Sequence, residues 1–180
     1  MQTIRGYLDK LQSWLIGKIE AEGFKLPKPP EEGEQGEELK DIYPSVVICG
    51  LPHANFSMTG FPEEYFQAPY AMISVSDCEF DYEDIRIPIL IQVCCYTVLP
   101  YMVNGVPDEQ RIPDNLGTLD VLNFLEKIMA WLEEDIPVPI SKPIRLGSYD
   151  NKEMTYPYAF GYISFDIETS AERRKKYDFN

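Results

Sequence analysis

Every second position is apolar along the stretch from Ile85 to Cys95. The apolar positions are Ile85, Ile87, Ile89, Ile91, Val93 and Cys95. The intervening positions begin with Arg86 and include Gln92. A stretch that is apolar at every second position and rich in β-branched residues predicts a strand with one face in a core. We therefore expect residues 85–98 to form the main strand of the only sheet.

Other stretches with strand character are expected to lie beside this one. They are residues 43–49, 71–77 and 156–169. The acidic segment between 71–77 and the main strand predicts a hairpin, so these two strands should be antiparallel neighbours. Residues 138–146 are rich in proline, which cannot donate to a ladder, and this predicts a connector or an edge strand.

Two segments have the apolar spacing of amphipathic helices. The first is 3–22, and Gly23 supplies a stop signal. Its stripe is Ile4, Leu8, Leu11, Leu15 and Ile19. Trp14 flanks this stripe and either packs on the sheet or meets a partner. The second helix is 116–134, which Asp114 or Asn115 can cap. Its stripe is Leu116, Leu119, Leu122, Leu125, Ile128 and Leu132, widened by Phe124, Met129 and Trp131.

The order helix, strand, strand, long strand, helix, strand predicts an α+β fold. We expect a single domain over residues 1–180, with a mainly antiparallel or mixed sheet and both helices packed on one face. The other face of the last strand is aromatic at Tyr158 and Phe160 and acidic further on. Either a loop or a neighbouring subunit should cover the aromatic end.

Three long segments lack a core-facing pattern. Residues 27–41 are rich in proline and glutamate and predict a mobile acidic loop, peripheral to the fold. Loops 50–69 and 99–113 are long enough to be functional. Their candidate contact residues are Phe56, Phe61, Tyr65, Phe66, Tyr101, Asp108 and Arg111. The aromatic side chains either pack beneath the loops or form a contact surface with a partner.

Charge and composition narrow the range of partners. The 180 residues have a formal net charge of -14, which disfavours binding to nucleic acid or to an anionic membrane. No apolar run approaches the length of a membrane span, and the N-terminus lacks a signal-peptide pattern. The exception to the acidic charge is the C-terminal tail of residues 171–180, where Arg173, Arg174, Lys175 and Lys176 are clustered.

The sequence offers little that resembles catalytic chemistry. Its four cysteines show no CxxC spacing and are expected to be reduced and buried, while the single histidine is His53. Neither a GxSxG elbow nor a phosphate-binding glycine motif is present. The acids of 77–84 lack the glycine and the final glutamate of a calcium loop. We expect neither an enzyme nor a bound cofactor or metal; a cytosolic enzyme is the less favoured alternative.

The layout resembles the tail-terminator, or tail-completion, proteins of tailed bacteriophages and related prophage particles. The resemblance covers about residues 3–169 and rests on pattern and order. After the first helix it has these matching segments: Tyr43-Pro44-Ser45-Val46, Asp84-Ile85-Arg86-Ile87-Pro88-Ile89, the helix Asp114 to Leu132, the entry Tyr156-Pro157-Tyr158, and the strand Ile163-Ser164-Phe165-Asp166-Ile167.

The resemblance implies a structural role in a virion or tail particle. Such subunits close into a ring, commonly a hexamer, that caps the tail tube, ends tail growth and joins the tail to a head connector or collar. The implied partners are further copies of the chain, the tail tube protein, and a sheath or head–tail connector protein. DNA would pass through the ring, whose acidic lumen would repel it. Another head–tail adaptor or a baseplate component would share this composition.

The basic tail leads to the first testable prediction. Each exposed ion pair contributes only about 0.2–1 kcal/mol, but four pairs repeated around a ring could favour docking on an acidic neighbour. Changing Arg173, Arg174, Lys175 and Lys176 to Ser should then weaken assembly, measured by light scattering, without lowering the melting temperature. High salt should have the same effect because it screens exposed charges. Assembly that resists both treatments would instead indicate a solvated, frayed terminus.

Overall fold

The computed structural model describes residues 3–29, 40–48, 68–75, 79–80, 84–96, 102–103, 106–107, 116–149 and 158–170. Its two helices are α1 (Ile4–Glu22) and α2 (Leu116–Glu134). Its strands are β1 (Leu26–Pro27), β2 (Asp41–Ile42), β3 (Ser45–Ile48), β4 (Tyr70–Val75), β5 (Glu79–Phe80), β6 (Asp84–Tyr96), β7 (Met102–Val103), β8 (Val106–Pro107), β9 (Ile140–Tyr149) and β10 (Tyr158–Ser170).

One mixed sheet forms the centre of the α+β fold, as the sequence predicted, but it is not the only sheet, because β1–β2 and β7–β8 form two further two-stranded sheets. Its strand order is β3-β4-β6-β10-β9, and β5 also pairs with β6. The pairs formed by β6 and β10 are antiparallel, which confirms the prediction that β4 and β6 are antiparallel neighbours. The β3–β4 pair is parallel, an arrangement that the sequence pattern did not indicate. The proline-rich segment forms the edge strand β9.

The alternating pattern of the main strand places one side of β6 in the core. Ile87, Ile89, Ile91, Val93 and Cys95 are each at most 1% exposed. The neighbouring strands contribute buried residues to the same core: Ala71, Ile73, Ile163, Phe165 and Ile167. The helices cover this face, with α1 over β3 and β4 and α2 over β6, β9 and β10.

Helix α1 begins and ends at recognisable capping residues. The Thr3 hydroxyl accepts a hydrogen bond from the Gly6 N–H at 3.1 Å. Gly23 ends the helix with φ of 62°, and its N–H bonds back to the Glu20 carbonyl at 3.1 Å. Such a left-handed position favours glycine. The predicted stop is therefore confirmed.

The predicted apolar stripe of α2 was partly wrong. The buried face is formed by Val121, Phe124, Leu125, Ile128, Trp131 and Leu132. Leu119 is 49% exposed and Leu122 only partly buried. Each step of three residues falls about 60° short of a full turn, so repeated steps spiral around the helix. Leu119 lies nine residues from Ile128 and thus on the opposite side.

Polar bridges join the C-terminal halves of the two helices. Lys18 pairs with Glu134 at 2.7 Å, and Lys127 pairs with Glu22 at 2.8 Å. The indole N–H of Trp131 also donates to Glu22. The Lys127 hydrogen bond is the main cause that lowers the pKa of Glu22, followed by the Trp131 hydrogen bond. These bridges connect the ends of the two helices at the protein surface.

The ends of the predicted acidic loop are paired with each other. Leu26 lies opposite Ile42 in the antiparallel β1–β2 ribbon, and the Lys28 N–H donates to the Lys40 carbonyl at 3.0 Å. Leu26 is buried in the core. The ribbon thus holds the base of this segment, while residues 30–39 lie outside the described part of the chain.

Gly161 on β10 allows α2 to approach the sheet closely. A Cβ at this position would come within 2.5 Å of Val121 Cγ1 and 2.8 Å of Leu125 Cδ1. Both neighbours are fully buried branched side chains on α2. Because a packed core has little free volume, any larger residue here must shift these side chains or the helix that carries them.

Gly161→Ala should therefore destabilise the fold, by about 1–3 kcal/mol, as expected for overpacking. Gly17→Ala is the matched control, because a Cβ at Gly17 in α1 would meet nothing within 4 Å. That change should stabilise the protein by about 1 kcal/mol through helix propensity. Urea unfolding of both variants measures the difference. Equal stability of the two variants would contradict the close contact.

Candidate interaction surface on the outer face of the sheet

The sheet face turned away from the helices is called the outer face. Pairing registers place its residues in rows across β4, β6, β10 and β9. One row is Tyr70, Cys94, Phe160 and Tyr149; the next is Met72, Gln92, Tyr162 and Gly147; the third is Ser74, Leu90, Ser164 and Arg145. Tyr96 and Tyr158 extend the aromatic end beyond these rows.

Aromatic side chains form a second small core at this end of the outer face. Tyr96 and Tyr158 meet edge to face, with ring centroids 5.9 Å apart. The buried residues Ala68, Tyr70 and Cys94 cluster together. The partly buried residues that pack against them are Met72, Tyr96 and Phe160. Tyr158 remains 36% exposed, so the cluster continues to the surface.

The three rows and the Tyr96–Tyr158 pair contain little charge. Arg145, on the edge strand β9, is the single charged residue among these positions. The solvent face of an antiparallel sheet is ordinarily polar, and the whole chain carries 26% charged residues. A charge-poor aromatic face in such a chain is typical of a surface that contacts protein.

The opposite end of the outer face is charged and exposed to solvent. Arg86 lies 3.7 Å from Asp166 and 3.6 Å from Glu168 across the β6–β10 pair. All three side chains are exposed by a third or more, so these contacts contribute little stability. The face therefore changes from aromatic to ionic along the strands. This matches the pattern that the sequence predicted for the last strand.

Burial makes the groups at the aromatic end poor nucleophiles. It raises the pKa of the Cys94 thiol to about 12, opposed by a weaker effect of the Tyr70 hydrogen bond. Burial also raises the pKa of Tyr70 and of Tyr158. On the core side, burial raises the pKa of Cys95 well above its ordinary value. Thiolate is the reactive form of cysteine, so both thiols are held unreactive at neutral pH.

The described residues contain no cluster of side chains arranged to bind a metal ion. No three His, Cys, Asp or Glu side chains among them are grouped to hold a metal ion. Asp120 has a raised pKa, caused first by burial and then by the charge of Asp41. His53 lies outside the described residues.

The interaction residues predicted from loops and tail cannot be located on this surface. All of them lie outside the described residues: Phe56, Phe61, Tyr65, Phe66, Tyr101, Asp108, Arg111, Arg173, Arg174, Lys175 and Lys176. The cap candidates Asp114 and Asn115 do too. Trp14 packs against the core, and its buried indole N–H has no hydrogen-bond partner.

Sequence reasoning found only part of the outer face. The aromatic start of the last strand drew attention to Tyr158 and Phe160, but Tyr70 and Met72 were missed. Their positions became visible only through the β4–β6 register, which brings Tyr70 opposite Cys94. The available signal was the second alternating set of β4, which holds Tyr70, Met72 and Ser74.

Comparisons with known proteins do not assign a family. No protein-family model matches the chain, and a search of curated proteins finds none that matches it. Within the described residues, neither α1 nor α2 combines the length and apolarity needed to cross a membrane.

Thiol labelling tests the burial of the two adjacent cysteines. In the native protein at pH 8, Cys94 and Cys95 should react with iodoacetamide roughly 100-fold or more slower than in the unfolded chain, because little thiolate is present. Mass spectrometry of the digested protein reports each cysteine separately. Rapid native labelling of Cys94 would show that the aromatic cluster is open to solvent.

Proposed function

We propose that this chain is a structural subunit of a tailed phage or of a phage-tail-like particle. Copies of the chain would close into a ring, commonly of six, that caps the tail tube, ends its growth and joins it to the head connector or collar. The subunit would act in the host cytoplasm during assembly and then remain in the particle. It would have no catalytic activity of its own.

The charge-poor aromatic end of the outer face is the observation that carries this proposal. The two helices cover one face of the sheet, while the other presents Tyr96, Tyr158, Phe160 and Tyr162 beside a buried Cys94. A neighbouring copy is the occupant that we assign to this face. Each copy bears a net charge of -14, so copies must meet through surfaces with little charge.

The order of elements supports the same role. A capped helix, a hairpin into a long apolar strand, a second helix and a final strand agree with the layout by which the sequence resembles tail terminators. A ring also needs interfaces that join two different surfaces of each subunit and close. The acidic composition suits a ring through which DNA passes, because like charge prevents DNA from adhering.

The test is self-association of the purified chain. Sedimentation velocity over rising concentration should show a single large species, and negative-stain electron microscopy should show rings. Tyr96→Lys combined with Tyr158→Lys should weaken this association strongly, because two lysines would then face the neighbouring copy. A chain that remains monomeric at every concentration and forms no rings would contradict the proposal.

Leu119→Lys combined with Ile136→Lys is the matched control. These two residues are 49% and 50% exposed, and they lie on α2 and just after it instead of on the outer face. The control adds the same charge as the outer-face variant. It should assemble like the wild type, and circular dichroism should show that both variants are folded. Equal loss of assembly in both variants would show that net charge, and not the outer face, controls association.

A further inference from the structure

The main chain of β3 forms one edge of the sheet. No described strand pairs with β3 on the side away from β4. The Ser45 N–H donates to the Pro69 carbonyl at 3.0 Å, so Ser45 directs its peptide groups toward β4. Successive residues of a strand alternate in this direction. Val46 and Ile48 therefore direct their peptide groups toward the side of β3 that has no described partner strand.

A side chain from α1 occupies this edge. The side-chain amide of Gln12 donates to the Val46 carbonyl at 2.9 Å, in a partly buried position. Gln12 lies between Leu11 and Leu15, which are both fully buried against the sheet. The helix is therefore anchored on either side of Gln12. The amide nitrogen stands where the N–H of an added strand would otherwise bind.

We infer that Gln12 closes the β3 edge against strand addition by a second copy of this chain, and that removing its donor creates a self-association site. An edge strand with free peptide groups is a template for pairing, and proteins protect such edges in several ways. Gln12 protects the β3 edge by donating a hydrogen bond to the outward-directed carbonyl of Val46.

The opposite edge of the sheet is protected by different means. In β9 the pairing with β10 is irregular between Ser141 and Arg145, and the intervening residues include Pro143. Proline cannot donate a hydrogen bond, and bulges with edge charges disfavour further pairing. Strand β3 has none of these features, since its residues Ser45 to Ile48 are uncharged and mostly β-branched.

A second β3 is the partner that fits this edge. Because Val46 and Ile48 direct their peptide groups outward, two copies of β3 can pair antiparallel about a two-fold axis at Val47, with Val46 of each copy opposite Ile48 of the other. Because these residues carry no charge, self-pairing brings no like charges together in the ladder. The result would be a dimer through sheet edges. This differs from the proposed ring, which uses the outer face.

Gln12→Met tests the inference, because methionine has a similar shape and no donor. The variant should form a reversible dimer at concentrations where the wild type is monomeric, measured by sedimentation equilibrium. Gln12→Ala should behave alike. Ser13→Ala is the matched control on the adjacent exposed position, where the hydroxyl bonds only within α1, to the Asp9 carbonyl at 2.9 Å. This control should retain the wild-type mass.

A rescue variant separates edge pairing from partial unfolding. Val47 lies at the two-fold axis of this pairing, where it meets Val47 of the other copy, so Gln12→Met with Val47→Lys should return to a monomer, since two lysines would repel directly across the new ladder. Each variant should keep the wild-type circular dichroism spectrum. A Gln12→Met protein that is folded and monomeric, or a dimer that Val47→Lys leaves intact, overturns the inference.

The two proposals can fail independently. Gln12→Met placed in the Tyr96→Lys and Tyr158→Lys background should still dimerise, because the outer face plays no part in pairing at the β3 edge. Loss of rings with retained dimerisation would therefore affect only the proposed function. Loss of dimerisation in that background would overturn the assignment to the edge.

Discussion

The pairing between β6 and β10 is the interaction on which the rest of the structure depends. Their register runs without interruption over thirteen residue pairs, from Tyr158 opposite Tyr96 to Ser170 opposite Asp84. Side chains alternate between the two faces, so a slip of one residue would exchange the core for the outer face. One register thereby fixes both the core and the candidate interaction surface. The strands β4 and β9 and the helix α2 all attach to this pair.

A glycine affects the packing on each face of β10: Gly161 of β10 itself on the core side, and Gly147 of the neighbouring β9 on the outer side. Toward the core, Gly161 lets Val121 and Leu125 lie where a Cβ would be. Toward the outside, a Cβ at Gly147 would come within 2.8 Å of the Tyr162 ring, which lies across the pair from it. An aromatic ring that covers a cross-strand glycine restores contact that the glycine lacks. The sheet is thus packed closely on one face and covered by its own tyrosine on the other.

Local patterns predicted the elements better than their arrangement. The bounds of α2 and the inward face of β6 followed from periodicity, because both depend on nearby residues. The exposure of Leu119 did not, since a spiral of leucines extends beyond the part of a helix that a sheet can cover. The parallel β3–β4 pair depends on a connection of some twenty residues with no regular pattern. The outer face likewise depends on long-range registers, so Tyr70 and Met72 were not associated with Phe160.

The two edges and the outer face of the sheet differ in how strongly they resist contact with another copy, and this difference affects how the subunit assembles. The two edges resist pairing, one through the Gln12 amide and the other through the Pro143 irregularity and Arg145. An acidic chain is also kept apart from its copies by charge. The aromatic end of the outer face has almost no charge in its described rows, and Tyr158 is exposed at its border. Contacts between folded copies should therefore form face to surface, with the ladder of each sheet left intact. Such contacts permit a closed ring of separate domains, whereas two-fold pairing of β3 edges would stop at a dimer.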